Sequence, residues 1–285
     1  MRLGELPAAA VETVFERHGA CSVTLTDAGD HPLLEPAPGE TPLWPDTEIS
    51  GLFDAARDLE HLKEELRSVL GMRELPGCRI ETLAERIWER EWLKDLGPMA
   101  FGTRLRVCPG DSSVADPHAV VVKLDPGLAF GTGTHATTAL CLEWLDGLEL
   151  EGARVLDYGC GSGILSVAAL LLGAASVTAV DIDAQAITAT GQNAARNGVR
   201  ERLVTASDRR AIRGSFDCVV ANILAGALID DAPHIVERLA RGGELALSGI
   251  LTDQAEAVRA AYRAHVRFAA PAERDGWIRL DGRRI

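Results

Sequence analysis

The chain has 285 residues, 47 % hydrophobic and 25 % charged, enough for one large or two ordinary globular domains with a real core. Its net charge of −13 and its 5 % aromatic content argue against a phosphate-tracking surface or a base-stacking platform. An acidic protein suits a basic partner better: an amine, a lysine-rich peptide or a basic protein.

The longest apolar run, Ile164–Val180, is interrupted by Gly173, whereas a membrane helix needs about 20 unbroken apolar residues. Met1–Glu5 lacks the apolar core of a signal peptide, so a cytoplasmic protein is expected. Cys21, Cys78, Cys108, Cys141, Cys160 and Cys218 stand far apart, with no CxxC or Cys/His pair at zinc spacing. Reduced, mostly packed thiols and no metal centre follow.

Taken in order, Met1–Glu5 reads as a very short strand. Pro7–His18 carries Val11, Val14 and Phe15 at helical spacing and is ended by Gly19. Cys21–Thr26 alternates like a half-buried strand, and a proline-dense loop follows, from Pro32 to Pro45. Ile49–Phe53 is strand-like; Leu59, Leu62, Leu66, Val69 and Leu70 line one helix face; Arg79–Leu83 reads as a further strand. The order β-α-β-β-α-β is the ferredoxin-like pattern. No metal spacing, glycine cradle or activated nucleophile lies in this α+β module, which leaves a binding domain or a stabilising appendage. Ala84–Leu96 reads as a charged helix with Trp88 and Trp92 on one face, and Asp111–Pro117 as a polar loop. The expected organisation is therefore a module at 1–83, a linker at 84–117 and a second domain at 118–285.

That second domain alternates strands and helices, as an α/β sheet does. Strands are expected at Ala119–Leu124, Arg154–Tyr158, Val177–Asp181, Leu203–Ala206, Phe216–Ala221 and Glu244–Ser248. Helices are expected at Ala136–Leu145, Ile164–Leu172, Ala184–Asn197, Pro233–Ala240 and Asp253–Ala264. Val266–Ala269 and Trp277–Leu280 would close a mostly parallel sheet with an antiparallel pair.

Asp157-Tyr158-Gly159-Cys160-Gly161-Ser162-Gly163 follows one of these strands and opens a helix. Glycine accepts positive φ and lets a ligand lie on bare backbone, and the helix start offers unpaired N–H groups. In the dinucleotide fingerprint the sixth position from Gly159 is small, but here it is Ile164, and the third glycine arrives one residue early. No P-loop occurs either. The turn fits a ligand that needs close backbone approach without a pyrophosphate. Cys160, though within it, has no neighbour that would make it a nucleophile. Asp181 ends the next strand, where a carboxylate can accept both ribose hydroxyls; a helix cap is the alternative, for which Asp183 is better placed.

D-x-G-x-G-x-G after one strand, with an acid ending the next, resembles the class I S-adenosylmethionine-dependent methyltransferases, whose Rossmann-like sheet has seven strands. Leu124–His135, leading into the helix of Thr137 and Thr138, and Asn222-Ile223-Leu224-Ala225 after a strand resemble the ribosomal protein L11 methyltransferase (PrmA-type) family. The likeness extends over Trp88–Trp92, Pro98–Gly102 and Ser248–Leu251. It implies S-adenosyl-L-methionine bound through Thr138, Gly159, Asp181 and Asn222, with Asp157 and Gly161 of the turn completing the set. It also implies methylation of lysine side chains and the N-terminal amine of one large-subunit ribosomal protein, recognised by the N-terminal domain. Family members usually have a longer first strand than Met1–Glu5.

Methyl transfer to an amine demands alignment and desolvation, and the amine must be neutral. At a reference pKa of about 10.4, a lysine needs roughly 4–5 kcal/mol for deprotonation at pH 7. The Asn222 amide oxygen can accept an amine N–H and aim the nitrogen lone pair; otherwise Asn222 only caps its strand. Related enzymes acting on planar amides or bases carry an aromatic residue three positions after this asparagine, where this chain has Ala225. Gly127–His135 reads either as a lid over the cofactor or as a plain connection, and His135 as structural. A small-molecule amine methyltransferase and a non-catalytic ribosome-binding module are the competing functions, disfavoured by the separate N-terminal module and by the intact turn respectively.

Overall fold

Residues 1–4, 6–29, 42–75, 77–83, 97–110, 114–124 and 133–285 are described by the computed structural model, and the chain divides into Met1–Glu85 and Arg86–Ile285. The expected helix with Trp88 and Trp92 lies outside the described residues, as does most of the Gly127–His135 loop.

In the first unit, helix α1 (Ala8–Arg17) buries Val11, Val14 and Phe15, and α2 (Glu60–Leu70) buries Leu62 and Leu66 before Gly71 ends it in the left-handed conformation. Both pack with Met1, Leu3 and Ile49 into one small core. Strands β1 (Ser22–Asp27) and β2 (Thr47–Leu52) pair antiparallel from Ser22↔Leu52 to Asp27↔Thr47. Met1–Leu3 joins the free edge of β2 by a single bridge, Arg2↔Glu48, flanked by Leu3 N–H to Thr47 O and Ile49 N–H to Met1 O, both 2.8 Å. The expected strand at Arg79–Leu83 forms no ladder. Its apolar residues Ile80 and Leu83 remain 52 % and 55 % exposed, so no burial rewards pairing, and the short first segment offers it little edge. Among the described residues the ferredoxin-like order therefore stops at β-α-β-β-α, its first strand a bridge and its last strand absent, and the sheet is two strands and that bridge.

The second unit begins with β3 (Met99–Phe101), β4 (Leu105–Pro109) and β5 (Val120–Leu124), a three-stranded sheet in which β4 and β5 run parallel. Two of these strands fall within the range read as linker. The third was expected in the main sheet, but Asn197 stands where its next neighbour would be. The Asn197 side chain accepts from Lys123 N at 2.8 Å and donates to Lys123 O at 2.7 Å, closing that edge.

The main sheet then follows, with α3 (Ala136–Asp146), β6 (Arg154–Tyr158), α4 (Ile164–Leu171), β7 (Ser176–Val180), α5 (Ala184–Arg196) and β8 (Leu203–Ala206). After these come β9 (Phe216–Asn222), α6 (Ala225–Asp230), α7 (Ala232–Arg238), β10 (Leu239–Leu251), α8 (Ala255–Tyr262), β11 (Val266–Phe268), β12 (Ala272–Arg274) and β13 (Trp277–Arg284). The strand order is β11-β13-β10-β9-β6-β7-β8, with β12 paired to β13 beside this seven-strand path. β10, β9, β6, β7 and β8 run parallel, and β13, lying between β10 and β11, pairs antiparallel with both, which gives the antiparallel closing pair that the sequence pattern predicts. Both faces are covered: Val155 packs with α3 and α4, while its neighbour Leu156 packs with α6, α7 and α8. Burial on both faces is why these strands are continuously apolar rather than alternating.

Asp146 ties the small sheet to α3. Its carboxylate accepts the N–H groups of Thr103 at 2.6 Å, Arg104 at 3.1 Å and Leu105 at 2.9 Å, and the Thr103 hydroxyl at 3.1 Å. A negative charge is unfavourable at a helix C-terminus, so these donors offset the dipole as well as the burial. Gly102, at φ +63°, must be glycine because a Cβ there would run into this carboxyl. Burial alone would push the carboxyl up, but the Thr103 and Arg104 N–H groups, the Thr103 hydroxyl and the Arg104 guanidinium outweigh it and hold it below the usual range. A depressed pKa gives stability that is present above the unfolded value and lost as pH falls. Asp146→Ala should lower unfolding free energy by about 3 kcal/mol at pH 7, and the deficit against the parent should shrink below about pH 4. Urea unfolding of both proteins across pH measures this; a pH-independent deficit would refute it.

Candidate functional site

In the main sheet the chain moves outward from β6 through β7 and β8 on one side, and through β9 and β10 on the other. At such a switch point the carboxyl ends of β6 and β9 leave a crevice, the usual ligand site of an open α/β sheet. The glycine turn and Asn222 stand on its two sides. Register explains this: Tyr158 is opposite Ala221, so Gly159 and Asn222 are the next residues out on adjacent strands.

The turn leaves β6 with Gly159, Gly161 and Gly163 at φ +81°, +53° and +78°. A Cβ on Gly159 would strike the Ile223 side chain, and one on Gly163 would come within 2.8 Å of the Thr190 backbone. At these two positions glycine therefore serves close packing within the protein as well as access to its backbone. Thr190 and Asn193, one helical turn apart on α5, bind the carbonyls of the turn: Thr190 Oγ1 donates to Gly161 O at 3.0 Å and Asn193 Nδ2 to Ser162 O at 2.8 Å. Both side chains are buried and polar. The sequence reading overlooked them; their signal was two polar residues at i and i+3 on the inner face of a helix. The Cys160 thiol lies 3.2 Å from Thr190 Oγ1, and burial, with Asp157 nearby, pushes its pKa up, away from nucleophilic use.

Asp181 accepts Gly161 N–H at 2.9 Å on one oxygen and Asp183 N–H at 3.0 Å on the other. Each oxygen keeps a lone pair for a ligand, and the carboxylate is held fast against the turn. Asp183 is the cap of α5, accepting Gln185 N–H at 2.8 Å. Next to Asp181, Ile182 is 96 % exposed, an apolar surface beside a carboxylate.

Asp157 is fully buried beneath the turn. One oxygen accepts the Ser166 hydroxyl at 2.6 Å; the other, Oδ1, is the one buried side-chain oxygen or nitrogen without a partner among the described residues. Burial pushes its carboxyl up to about 6, opposed by the Ser166 hydroxyl and N–H and reinforced by Asp181. Ser166 was a further missed residue, visible as a lone hydroxyl inside an apolar helix.

Asn222 ends β9, and its Nδ2 donates to Thr138 Oγ1 at 3.3 Å, which brings two of the sequence-predicted residues into contact. The backbone behind them is set by Gly249: Ile223 N–H donates to Ser248 O at 3.1 Å, and a Cβ on Gly249 would overlap the Ile223 backbone. Thr137 and Thr138 are buried in the first turn of α3, capped by His135, whose Nδ1 lies 2.8 Å from Thr137 Oγ1. The His135 ring meets Trp277 edge-on at 5.0 Å. Ala225, the position read as lacking a ring, is buried at the start of α6, while Leu224 is 64 % exposed beside the crevice.

A family model described as ribosomal protein L11 methyltransferase (PrmA) matches residues 4–285. The chain belongs to the ribosomal protein L11 methyltransferase family. It is 52 % identical over 265 residues to the ribosomal protein L11 methyltransferase of Methylococcus capsulatus, covering 93 % of this chain and 90 % of that protein. Against the ribosomal protein L11 methyltransferase of Vibrio cholerae the identity is 48 % over 275 residues, covering 96 % and 93 %. Among solved structures, the ribosomal protein L11 methylase of Lactobacillus delbrueckii subsp. bulgaricus is 32 % identical with a TM-score of 0.62, covering 66 % of this chain and 99 % of that one. Membership of this family makes the chain a methyltransferase. Among the described residues no helix is long and apolar enough to cross a membrane.

Asp157 holds its proton more tightly in the folded chain than in the unfolded one. Its contribution to stability is present below about pH 4 and lost as pH rises through about 6. Asp157→Asn removes that dependence, so the ligand-free variant should gain on the parent between pH 4.5 and 7, by roughly 2 kcal/mol. Denaturant unfolding at both pH values reads the change directly; an identical difference at each would mean that this carboxyl does not titrate there.

Proposed function

We propose that this chain methylates amino groups of ribosomal protein L11, using S-adenosylmethionine held at the carboxyl ends of β6 and β7. The observation that carries the reading is Asn222 beside the glycine turn, with its Nδ2 tied to Thr138. That bond leaves the amide oxygen as the group free to accept an N–H from an amine in the crevice.

The residues present suit the cofactor. Asp181 is rigid and half-buried, with lone pairs left for ribose hydroxyls, and exposed Ile182 beside it can cover an adenine face. Gly161 lies on the turn with its backbone bare of side chain, and Gly159 closes the turn onto Ile223. The unpaired Oδ1 of buried Asp157 is stabilised by any cation brought to the turn. When bound, the cofactor supplies a methyl group on a positively charged sulfur.

What remains for the protein is alignment and desolvation. Asn222 orients the amine lone pair, and Thr138 keeps the amide from rotating. Leu224 offers an apolar wall for an aliphatic stem, and such a wall favours the neutral form of a lysine amine. Ala225 is buried, so no ring stands here to stack on a nucleobase. The net charge of −13 attracts a basic ribosomal protein and repels nucleic acid. The N-terminal unit, without catalytic groups of its own among its described residues, is assigned to recognition, and the enzyme acts in the cytoplasm.

Incubation with labelled S-adenosylmethionine and purified ribosomal protein L11 should place label on L11 amines; cofactor binding without any labelling would overturn the reading. Asp181→Ala should weaken S-adenosylmethionine binding by about tenfold or more while saturating turnover changes little, as expected for a lost charge-assisted hydrogen bond. Calorimetric titration and initial rates at saturating cofactor separate the two effects.

A further inference from the structure

The chain contains two tyrosines, and both direct their hydroxyls to the same short helix. Tyr262 Oη donates to Leu228 O within α6 at 2.7 Å. Tyr158 Oη donates to Oδ2 of Asp231, the residue that closes α6, at 2.7 Å. The other oxygen of Asp231 accepts Nη1 of Arg209.

Helix α6 needs such support. It has six residues, no side-chain cap and exposed Leu224 at its start, and a helix of that length has little stability alone. It also follows directly from the site, because Leu224 lies two residues after Asn222. Tyr158 lies directly before Gly159, and Arg209 opens the turn after β8, whose last carbonyl, Ala206 O, accepts Asp181 N–H at 3.2 Å. One carboxylate therefore gathers three segments from the carboxyl edge of the sheet: the glycine turn, the loop beside Asp181 and the helix behind Asn222. Tyr158 is buried, and burial followed by Asp231 pushes its hydroxyl up to about 12, so it stays a donor throughout the working range of pH.

We infer that Tyr158, acting through Asp231, is a positioning residue that sets the angle of α6 and thereby aims the Asn222 amide across the crevice at the reacting amine. The inference rests on the reading of Asn222 given above. The Tyr158 hydroxyl touches neither substrate nor cofactor; its effect is on the rate of transfer. Arg209 shares the load by holding Asp231 from the solvent side.

Kinetics of the full chain with ribosomal protein L11 and labelled S-adenosylmethionine test this, with single-turnover rates for slow variants. Tyr158→Phe should lower kcat about tenfold while the KM for S-adenosylmethionine stays within about twofold. In an Asn222→Ala background the same substitution should change the rate less than about twofold, because its effect passes through Asn222. Asp231→Ala should reproduce the loss, because it removes the acceptor through which Tyr158 acts. Asp231→Asn, which keeps an oxygen for the Tyr158 hydroxyl, should stay within about threefold of the parent. Equal losses from Tyr158→Phe in both backgrounds, or equal losses in Asp231→Asn and Asp231→Ala, would overturn the inference. A parent-like kcat for Tyr158→Phe alongside a large loss for Asn222→Ala overturns it alone; a parent-like kcat for Asn222→Ala overturns it together with the reading of Asn222.

Discussion

Val155 opposite Cys218 and Tyr158 opposite Ala221 set the register on which the rest of the second unit depends. In a parallel pair the two strands end on the same side, so a common register delivers their next residues to one place. Gly159 and Asn222 come together in this way, from positions more than sixty residues apart in the chain. Reversal of strand order at this pair then keeps the crossover helices from covering the crevice. A shift of one residue would turn Asn222 toward a face packed with helices and pull the turn away from it.

Around that register, buried polar groups keep the turn rigid. Thr190 and Asn193 hold its carbonyls from α5, Asp181 holds Gly161 N–H, and Ser166 holds one oxygen of Asp157. Each bond satisfies a group that would cost free energy if buried alone, and together they fix the turn before any ligand arrives. The exception is Asp157 Oδ1. An unpaired buried oxygen is a local cost that a protein keeps where its charge is useful, and here it lies beneath the glycine turn. Asp146 shows the opposite solution, a buried carboxylate saturated with donors that serves architecture.

Much of the fold was legible because its signals are local. Alternation of strands and helices from Arg154 onward, apolar runs such as Val155–Leu156, and Gly173 or Gly198 after helices each announce an element from a few neighbouring residues. The strand at Arg79–Leu83 was not decidable in this way. Its pattern is strand-like, but a strand needs an edge to pair with and a face to bury, and the fold supplies neither. Met99–Phe101 and Leu105–Pro109 failed in the other direction: short strands among glycine and charged residues look like linker until they pair with each other and the second pairs with β5.

For the site, the sequence by itself determined the parts that depend on residue type at fixed spacing. These are the three glycines that alone accept positive φ, the acids Asp157 and Asp181 at strand ends, and Asn222 with a non-aromatic Ala225 after it. Family membership followed from the same residues. Only the tertiary structure decided which of them meet. It brought Thr138 to Asn222 and Gly161 to Asp181, buried Asp157 while leaving one oxygen unpaired, and turned Ala225 inward and Leu224 outward. It also joined Tyr158, Arg209 and Asp231 across three loops. The physical reason is the same throughout: conformational preference is a property of a residue and its neighbours in sequence, whereas contact, burial and hydrogen bonding across the sheet depend on strand order and register.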